Sequence, residues 1–211
     1  MDRYKITFET WDKIASIYRD KFMDLDVYND TYDAFCKLIK SPSSKILEVG
    51  CGPGNITRYL LNKRPDLKIE AIDMSPNMIK LAKENIPAAD FKVMDCRDID
   101  KLKTKYDAIV CGFCIPYLSK EDCAKFIKDS SFLLNSNGIL YFSTIEGEYA
   151  RSGFEAGSSG DKAYVYYYTE KYLQELLREN NFETLDVYRK EYPKGKELST
   201  HLIFIAKKKP R

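Results

Sequence analysis

From residue 45 onward the chain repeats one pattern: a short unbroken apolar run, then a longer stretch whose apolar side chains return every third or fourth position. Unbroken runs of this kind predict strands buried on both faces, and the wider spacing predicts helices with one apolar side. Strands are expected at 45–49, 68–72, 91–94, 106–111 and 139–144. A helix over about 55–63 places Ile56, Tyr59 and Leu60 on one face. The next opens at Ser75-Pro76, with serine capping and proline at the first helical position. Ser119, three residues before Asp122, caps another, and Asn137-Gly138 turns the chain into the fifth strand. A further helix starts at Thr169 and stops at Asn180-Asn181, asparagine tolerating the left-handed cap. Residues 183–192 and 201–206 form a C-terminal hairpin, and the glycine-, serine- and charge-rich segment 146–162 is expected to be a mobile loop.

Ahead of this alternation, Trp11, Ile14, Ala15, Tyr18 and Phe22 recur at helical spacing, as do Tyr28, Tyr32, Phe35 and Ile39. They predict two amphipathic helices, an N-terminal helical cap over 1–41 on a domain spanning 42–211. Strand–helix alternation gives an α/β fold: a three-layer sandwich with a mostly parallel sheet between helices. Such sheets bind ligands beyond the carboxyl ends of their strands, where the topology switches direction.

Composition narrows the class. The chain has 211 residues with 44% hydrophobic content and a formal net charge of +2, from 34 basic against 32 acidic residues. Near-balance of charge argues against a nucleic-acid surface. The basic run Lys207-Lys208-Lys209 is expected to be a solvated tail. No apolar stretch approaches the ~20 residues of a membrane span. The opening residues lack the apolar core of a secretory signal, so a cytoplasmic protein is expected. The six cysteines sit mostly inside apolar runs, as buried thiols do in a reducing compartment. Cys111 and Cys114 have CxxC spacing, but they end an apolar strand and lack a second ligand pair, so packing explains them best.

The chemistry concentrates at strand ends. Gly50-Cys51-Gly52-Pro53-Gly54 joins a strand to a helix, where glycines allow a sharp turn and close approach of a ligand. A dinucleotide-binding turn would put glycine or alanine at position 55 for helix–strand packing, and here Asn55 stands there. Pro53 also removes a backbone donor that a diphosphate would use. Glu48 lies in an otherwise apolar strand, either salt-bridged or facing a bound cation or ammonium group. Asp73 closes the second strand about 20 residues past the turn, the place for a carboxylate that accepts from ribose hydroxyls. Met74 beside it is placed to lie on an adenine face, and Asp95 to accept from an exocyclic amine. Asp107 starts its strand, at the opposite end of the sheet, and is structural.

These residues together resemble the Rossmann-like S-adenosylmethionine-dependent methyltransferases. The resemblance rests on Ile46-Leu47-Glu48-Val49-Gly50-Cys51-Gly52-Pro53-Gly54, on Ile72-Asp73-Met74-Ser75-Pro76-Asn77-Met78, on Val93-Met94-Asp95-Cys96 and on Tyr106-Asp107-Ala108-Ile109-Val110-Cys111. It implies a seven-stranded sheet with an antiparallel last strand, S-adenosylmethionine as cofactor and S-adenosylhomocysteine as product. It further implies that Gly50, Cys51, Gly52 and Gly54 lie under the methionine part and that Asp73 holds the ribose. Asp95 and Cys96 would contact the adenine, and Cys111 would lie near the sulfonium. The segment from Trp11 to Tyr18 looks like the N-terminal cap of small-molecule members, in which the tyrosine reaches the cofactor.

Cys114-Ile115-Pro116-Tyr117 falls where adenine amino-group methyltransferases carry Asn or Asp and then Pro-Pro-Tyr. Cysteine in place of the polar first residue removes the group that orients the amine. The expected acceptor is therefore a small molecule bound between the N-terminal helices and the carboxyl edge of the sheet, with no nucleic-acid or membrane partner. Tyr117 and His201, the only histidine, are the candidates for catalysis, although for His201 a packed strand residue is the favoured reading. Tyr164-Val165-Tyr166-Tyr167-Tyr168 either presents alternate residues to the acceptor or packs at a sheet edge. A monomer or homodimer is expected. Two other functions remain open here: a non-catalytic module that binds the cofactor, and a nicotinamide-dependent oxidoreductase.

Overall fold

The computed structural model describes residues 2–157, 160–195 and 197–210. Three helices come first: α1 (Arg3–Lys13), α2 (Ala15–Phe22) and α3 (Asn29–Leu38). The alternating part runs β1 (Lys45–Val49), α4 (Asn55–Lys63), β2 (Lys68–Asp73), α5 (Pro76–Asn85), β3 (Asp90–Val93) and β4 (Tyr106–Cys111). It continues through α6 (Lys120–Leu133), β5 (Leu134–Ile145), β6 (Gly153–Ala156), β7 (Lys162–Val165) and α7 (Glu170–Glu179), ending in β8 (Phe182–Lys194) and β9 (Glu197–Lys208).

Seven strands make one sheet in the order β3-β2-β1-β4-β5-β9-β8. All are parallel except β9, which runs antiparallel to both β5 and β8. The last strand in the chain is thus inserted beside the edge. Alternate residues of each central strand enter different cores. Leu47, Val49, Ile109 and Phe142 pack with α6 and α7, while Ile46, Ala71, Val110 and Tyr141 pack with α3, α4 and α5. That two-sided burial is why the strands lack polar alternation. Strand order reverses between β1 and β4, so the crevice at the topological switch lies beyond Val49 and Cys111.

The helix starts follow the sequence. Ser75 Oγ accepts from the Met78 N–H at 3.0 Å and Ser119 Oγ from the Asp122 N–H at 3.2 Å. Asn181 takes φ +67° past the end of α7. Asp107 ties the amino end of the sheet by accepting from the Lys45 N–H at 2.9 Å and from Asn135 at 2.8 Å.

Several expectations are corrected. The spacing from Trp11 to Phe22 predicts one helix, but the chain bends at Ile14 (φ −94°, ψ 12°), which ends α1 and begins α2. Those angles are near enough to helical that the periodicity continues across the bend, and no glycine or proline marks it. Within residues 1–41 the helices pack in two places. α1 and α2 lie against α5, while α3 is a layer helix that buries Phe35 completely against the sheet. The segment 146–162 carries β6 and pairs it with β7 in a two-stranded antiparallel sheet; its Ser158 and Ser159 lie outside the described residues. Lys207 and Lys208 belong to β9 rather than to a tail, and buried Lys208 donates to the Leu134 carbonyl at 2.7 Å.

Candidate active site

The turn after β1 makes three left-handed residues, Gly50, Gly52 and Gly54, at φ +70°, +53° and +89°. Its amides are satisfied internally. Gly50 and Cys51 N–H both donate to the Ile72 carbonyl, at 2.8 and 3.0 Å, and Gly54 N–H donates to the Cys51 carbonyl at 3.0 Å. Gly52 N–H donates to Asp73 Oδ2 at 2.9 Å, and Pro53 has no N–H. No donor of Gly50 to Gly54 is left for a diphosphate, which needs several converging amides. The turn instead offers space. A Cβ at 50 would sit 2.9 Å from Cys114 Cβ and one at 54 would sit 2.4 Å from Ile86 Cδ1, so those two glycines serve packing. At 52 a Cβ would meet only Tyr18, at 3.7 Å, so this glycine faces open space. Gly52→Val is therefore expected to fold, losing about 1–2 kcal/mol to left-handed strain. Its branched side chain would enter the crevice, and S-adenosylhomocysteine affinity should fall at least tenfold. Unchanged affinity by calorimetry would show that no ligand approaches residue 52.

Two chambers open beyond this turn. The smaller lies over β2 and β3 and has Asp73, Met74, Asp95 and Cys96 on its walls. Asp73 accepts from the Gly52 and Ser75 amides, one bond to each oxygen, the second at 2.8 Å. Burial pushes its carboxyl above the usual range, and the two amide bonds oppose that shift. Each oxygen keeps a lone pair, which suits a pair of vicinal hydroxyls. Asp12, at the end of α1, accepts from Ser75 Oγ at 2.6 Å and from the Asn77 N–H at 3.1 Å. This clamp holds the N-terminal helix across the start of α5, so the chamber is roofed.

Asp95 is committed elsewhere. It caps the turn after β3, and Arg97 grips it through its amide and its guanidinium, with Nε at 3.0 Å from both oxygens. Burial works against its charge, but Arg97 outweighs it and holds the carboxyl below the usual range. The expectation that Asp95 accepts from an adenine amine is weakened accordingly. Four other predicted residues line neither chamber. Glu48 shares the face of Ile46, two residues before it, and so points to the α4 face, where Oε2 accepts from Thr57 Oγ1 at 2.5 Å. Burial raises its carboxyl to about 8, and Oε1 has no partner. Neither the lysine bridge nor the ligand-facing role of Glu48 is seen. Cys51 is buried with Sγ toward the Gly52 carbonyl, Gly54 packs under α5, and Cys111 is fully buried on the α6 face. Cys114, three residues on, takes the wall position instead.

The larger chamber, about 450 Å³, lies between α1 and α2, the carboxyl edge of β4 and β5, and the β6–β7 hairpin. Tyr18, Gly50, Gly52, Phe113 and Tyr117 belong to both chambers, so the two are continuous at the glycine turn. His201 lines the larger one, because antiparallel β9 brings its amino end to the carboxyl end of β5, opposite Ile145. Tyr28 O–H meets His201 Nδ1 at 2.6 Å. Burial, assisted by the Lys194 charge, lowers the imidazole to about 4, so it is neutral at physiological pH. Ala163, just before the tyrosine run, and Val165 within it face this chamber. Tyr166 and Tyr168 turn away and pack against Tyr149, with ring centroids 5.8 and 5.9 Å apart.

Sequence reasoning missed Arg97, Tyr28 and Phe113. Arg97 had a weak signal, two residues after Asp95 in a polar turn. Phe113 had none. It adopts φ +56°, its N–H donating to Ser143 Oγ at 2.8 Å, and sits on the wall between the chambers. Such a backbone in a bulky residue is strained, and here it sets a ring at the junction.

Comparisons with known proteins bear on the family and the fold. The family described as "Methyltransferase domain" matches residues 20–187. The 235L protein of Invertebrate iridescent virus 6 is 41% identical over 96 residues, covering 46% of this chain and 35% of that protein. Malonyl-[acyl-carrier protein] O-methyltransferase of Bacillus anthracis is 30% identical over 151 residues, covering 69% of this chain and 52% of the enzyme. The chain thus spans about half or less of the length of these relatives. Among solved structures, 1,6-didemethyltoxoflavin-N1-methyltransferase of Burkholderia thailandensis superposes with a TM-score of 0.75 at 19% identity, over 100% of this chain and 92% of that one. At that identity the likeness is one of fold.

Proposed function

The chain belongs to the methyltransferase domain family, and from that premise we propose that it transfers the methyl group of S-adenosylmethionine to a small-molecule acceptor, releasing S-adenosylhomocysteine. One observation carries the reading: a chamber with a ribose-suited carboxylate opens into a second chamber at a glycine turn that has no free amide. The spent amides disfavour a nicotinamide dinucleotide. Asp73 would hold the ribose hydroxyls, Met74 and Cys96 the adenine side, and Gly50 and Gly52 the methionine part, with Tyr18 closing over it. Glu48, Cys51, Gly54 and Cys111 act indirectly, by shaping the turn and strand ends behind these groups.

The cofactor, when bound, supplies a methyl group already activated by its sulfonium. The protein's task is alignment and exclusion of water. Tyr117 and Tyr18, on the shared wall, would confine the acceptor to an in-line approach from the larger chamber. His201 would face that acceptor as a neutral hydrogen-bonding group. No helix among the described residues is long and apolar enough to cross a membrane. The six free thiols fit a reducing compartment, which supports a cytoplasmic site of action.

Calorimetry with S-adenosylhomocysteine and with NADH tests the reading. Micromolar affinity for the first and none for the second is expected. The reverse order would replace it with a nicotinamide enzyme. Binding without turnover across neutral and acidic acceptors would reduce it to a cofactor-binding module.

A further inference from the structure

Building on the methyltransferase reading, we infer that the larger chamber takes a planar, uncharged aromatic acceptor, anchored through its hydroxyl or ring N–H by the Tyr28–His201 pair. Two observations carry this: aromatic side chains close the chamber from opposite sides, and its charges are spent or solvated.

Trp11, Tyr18 and Phe22 come from α1 and α2, while Tyr28, just ahead of α3, gathers with Phe113 and Tyr192 around His201 of β9 on the sheet side. Walls of this kind favour a flat ring that can stack or meet an edge. Three of the sheet-side groups already form such a stack around the imidazole. Tyr192 lies parallel to His201 at 5.2 Å, Phe113 meets it edge-on at 4.7 Å, and Tyr28 lies 6.0 Å away.

No arginine lines the chamber among the described residues. Lys194 is bound to Glu155 at 2.6 Å and to the Tyr167 hydroxyl at 2.8 Å, and Asp161 is paired with Lys13 at 2.7 Å. Lys21 sits exposed at the rim over the Phe22 ring. An acceptor with a free carboxylate would find no desolvated cation to offset its burial. This separates the chain from relatives named for a malonyl substrate.

The anchor is neutral on both sides. Burial holds the Tyr28 phenol above its usual range and the imidazole below its own, so both groups are neutral; the anchor uses the tautomer with its proton on Nε2, in which the phenol donates to Nδ1. The Tyr28 oxygen then keeps lone pairs for an O–H or N–H of the acceptor. Phe113 touches both Tyr28 and His201 and also walls the cofactor side, with its ring 5.1 Å from Tyr28. The anchored atom therefore lies one ring from the junction where a methyl group would cross.

The test uses protein saturated with S-adenosylhomocysteine and a matched pair of probes, 2-naphthol and 2-naphthoate, with malonyl-pantetheine as a third. Calorimetry should give 2-naphthol at least tenfold tighter binding than either carboxylate. Tyr28→Phe, which keeps the ring, should weaken 2-naphthol about tenfold and leave S-adenosylhomocysteine within twofold; His201→Gln should weaken it as well. Carboxylates that bind as well as the naphthol, or Tyr28→Phe without effect on it, would overturn the assignment while the methyltransferase reading stood. Failure of S-adenosylhomocysteine itself to bind would strike that reading instead.

Discussion

Replacing Asp73 by alanine is expected to weaken S-adenosylhomocysteine binding at least 100-fold. Hydrogen bonds to a charged group contribute about 1.5–3 kcal/mol each, and this carboxylate has one free lone pair per oxygen for a pair of ribose hydroxyls. The same substitution strips the partners from the Gly52 and Ser75 amides, so the turn loosens as well. Asp73→Asn grades the two effects. It keeps the side-chain volume and one acceptor oxygen, so one of the two amides stays paired, and it should cost about tenfold with a smaller fall in the urea midpoint than Asp73→Ala. Wild-type affinity in both variants would mean that the smaller chamber does not hold a ribose.

The second large effect concerns stability and pH. Glu48 is 1% exposed, and burial raises its carboxyl to about 8 from the ordinary 4.5. Between those values the folded state binds more protons than the unfolded chain, so stability falls as pH rises, by about 1.4 kcal/mol per unit. His201 has the opposite sign. Its imidazole is lowered to about 4 from 6.5, the unfolded chain holds the extra proton in that window, and stability falls as pH drops. The two slopes offset each other between 4.5 and 6.5, leaving Glu48 alone above that range. Glu48→Gln should therefore match wild type near pH 5, where the protonated acid already carries a donor without an acceptor. Near pH 8.5 the variant should be more stable by about 3–4 kcal/mol. Urea unfolding at the two pH values checks this, and parallel curves for the two proteins would remove Glu48 as the titrating group.

Much of the fold was legible because buried parallel strands and amphipathic helices have periods that survive in any sequence. Helix 55–63 was predicted to the residue, as were the caps at Ser75 and Ser119, and the helix expected from Thr169 starts one residue later, with Thr169 as its cap. Asp73 and the glycine turn were legible for a similar reason: their spacing follows from one strand, one turn and one helix. Glu48 was noticed, but its partner, Thr57, was not. Its face depends on which layer helix packs there, and Thr57 of α4 decides that. The bend at Ile14 was hidden because periodicity continues through near-helical angles.

By itself, then, the sequence determined what local geometry controls: the alternation of elements, their caps, and the carboxylate and glycines at strand ends. Only the tertiary structure decided which of those groups share a cavity. His201 reaches the carboxyl edge because antiparallel β9 is inserted beside β5, and Tyr28 meets it from 173 positions away. Contacts of that sequence separation have no period and no spacing rule. They exist only after two cores have packed against the sheet and fixed which strand ends face one another.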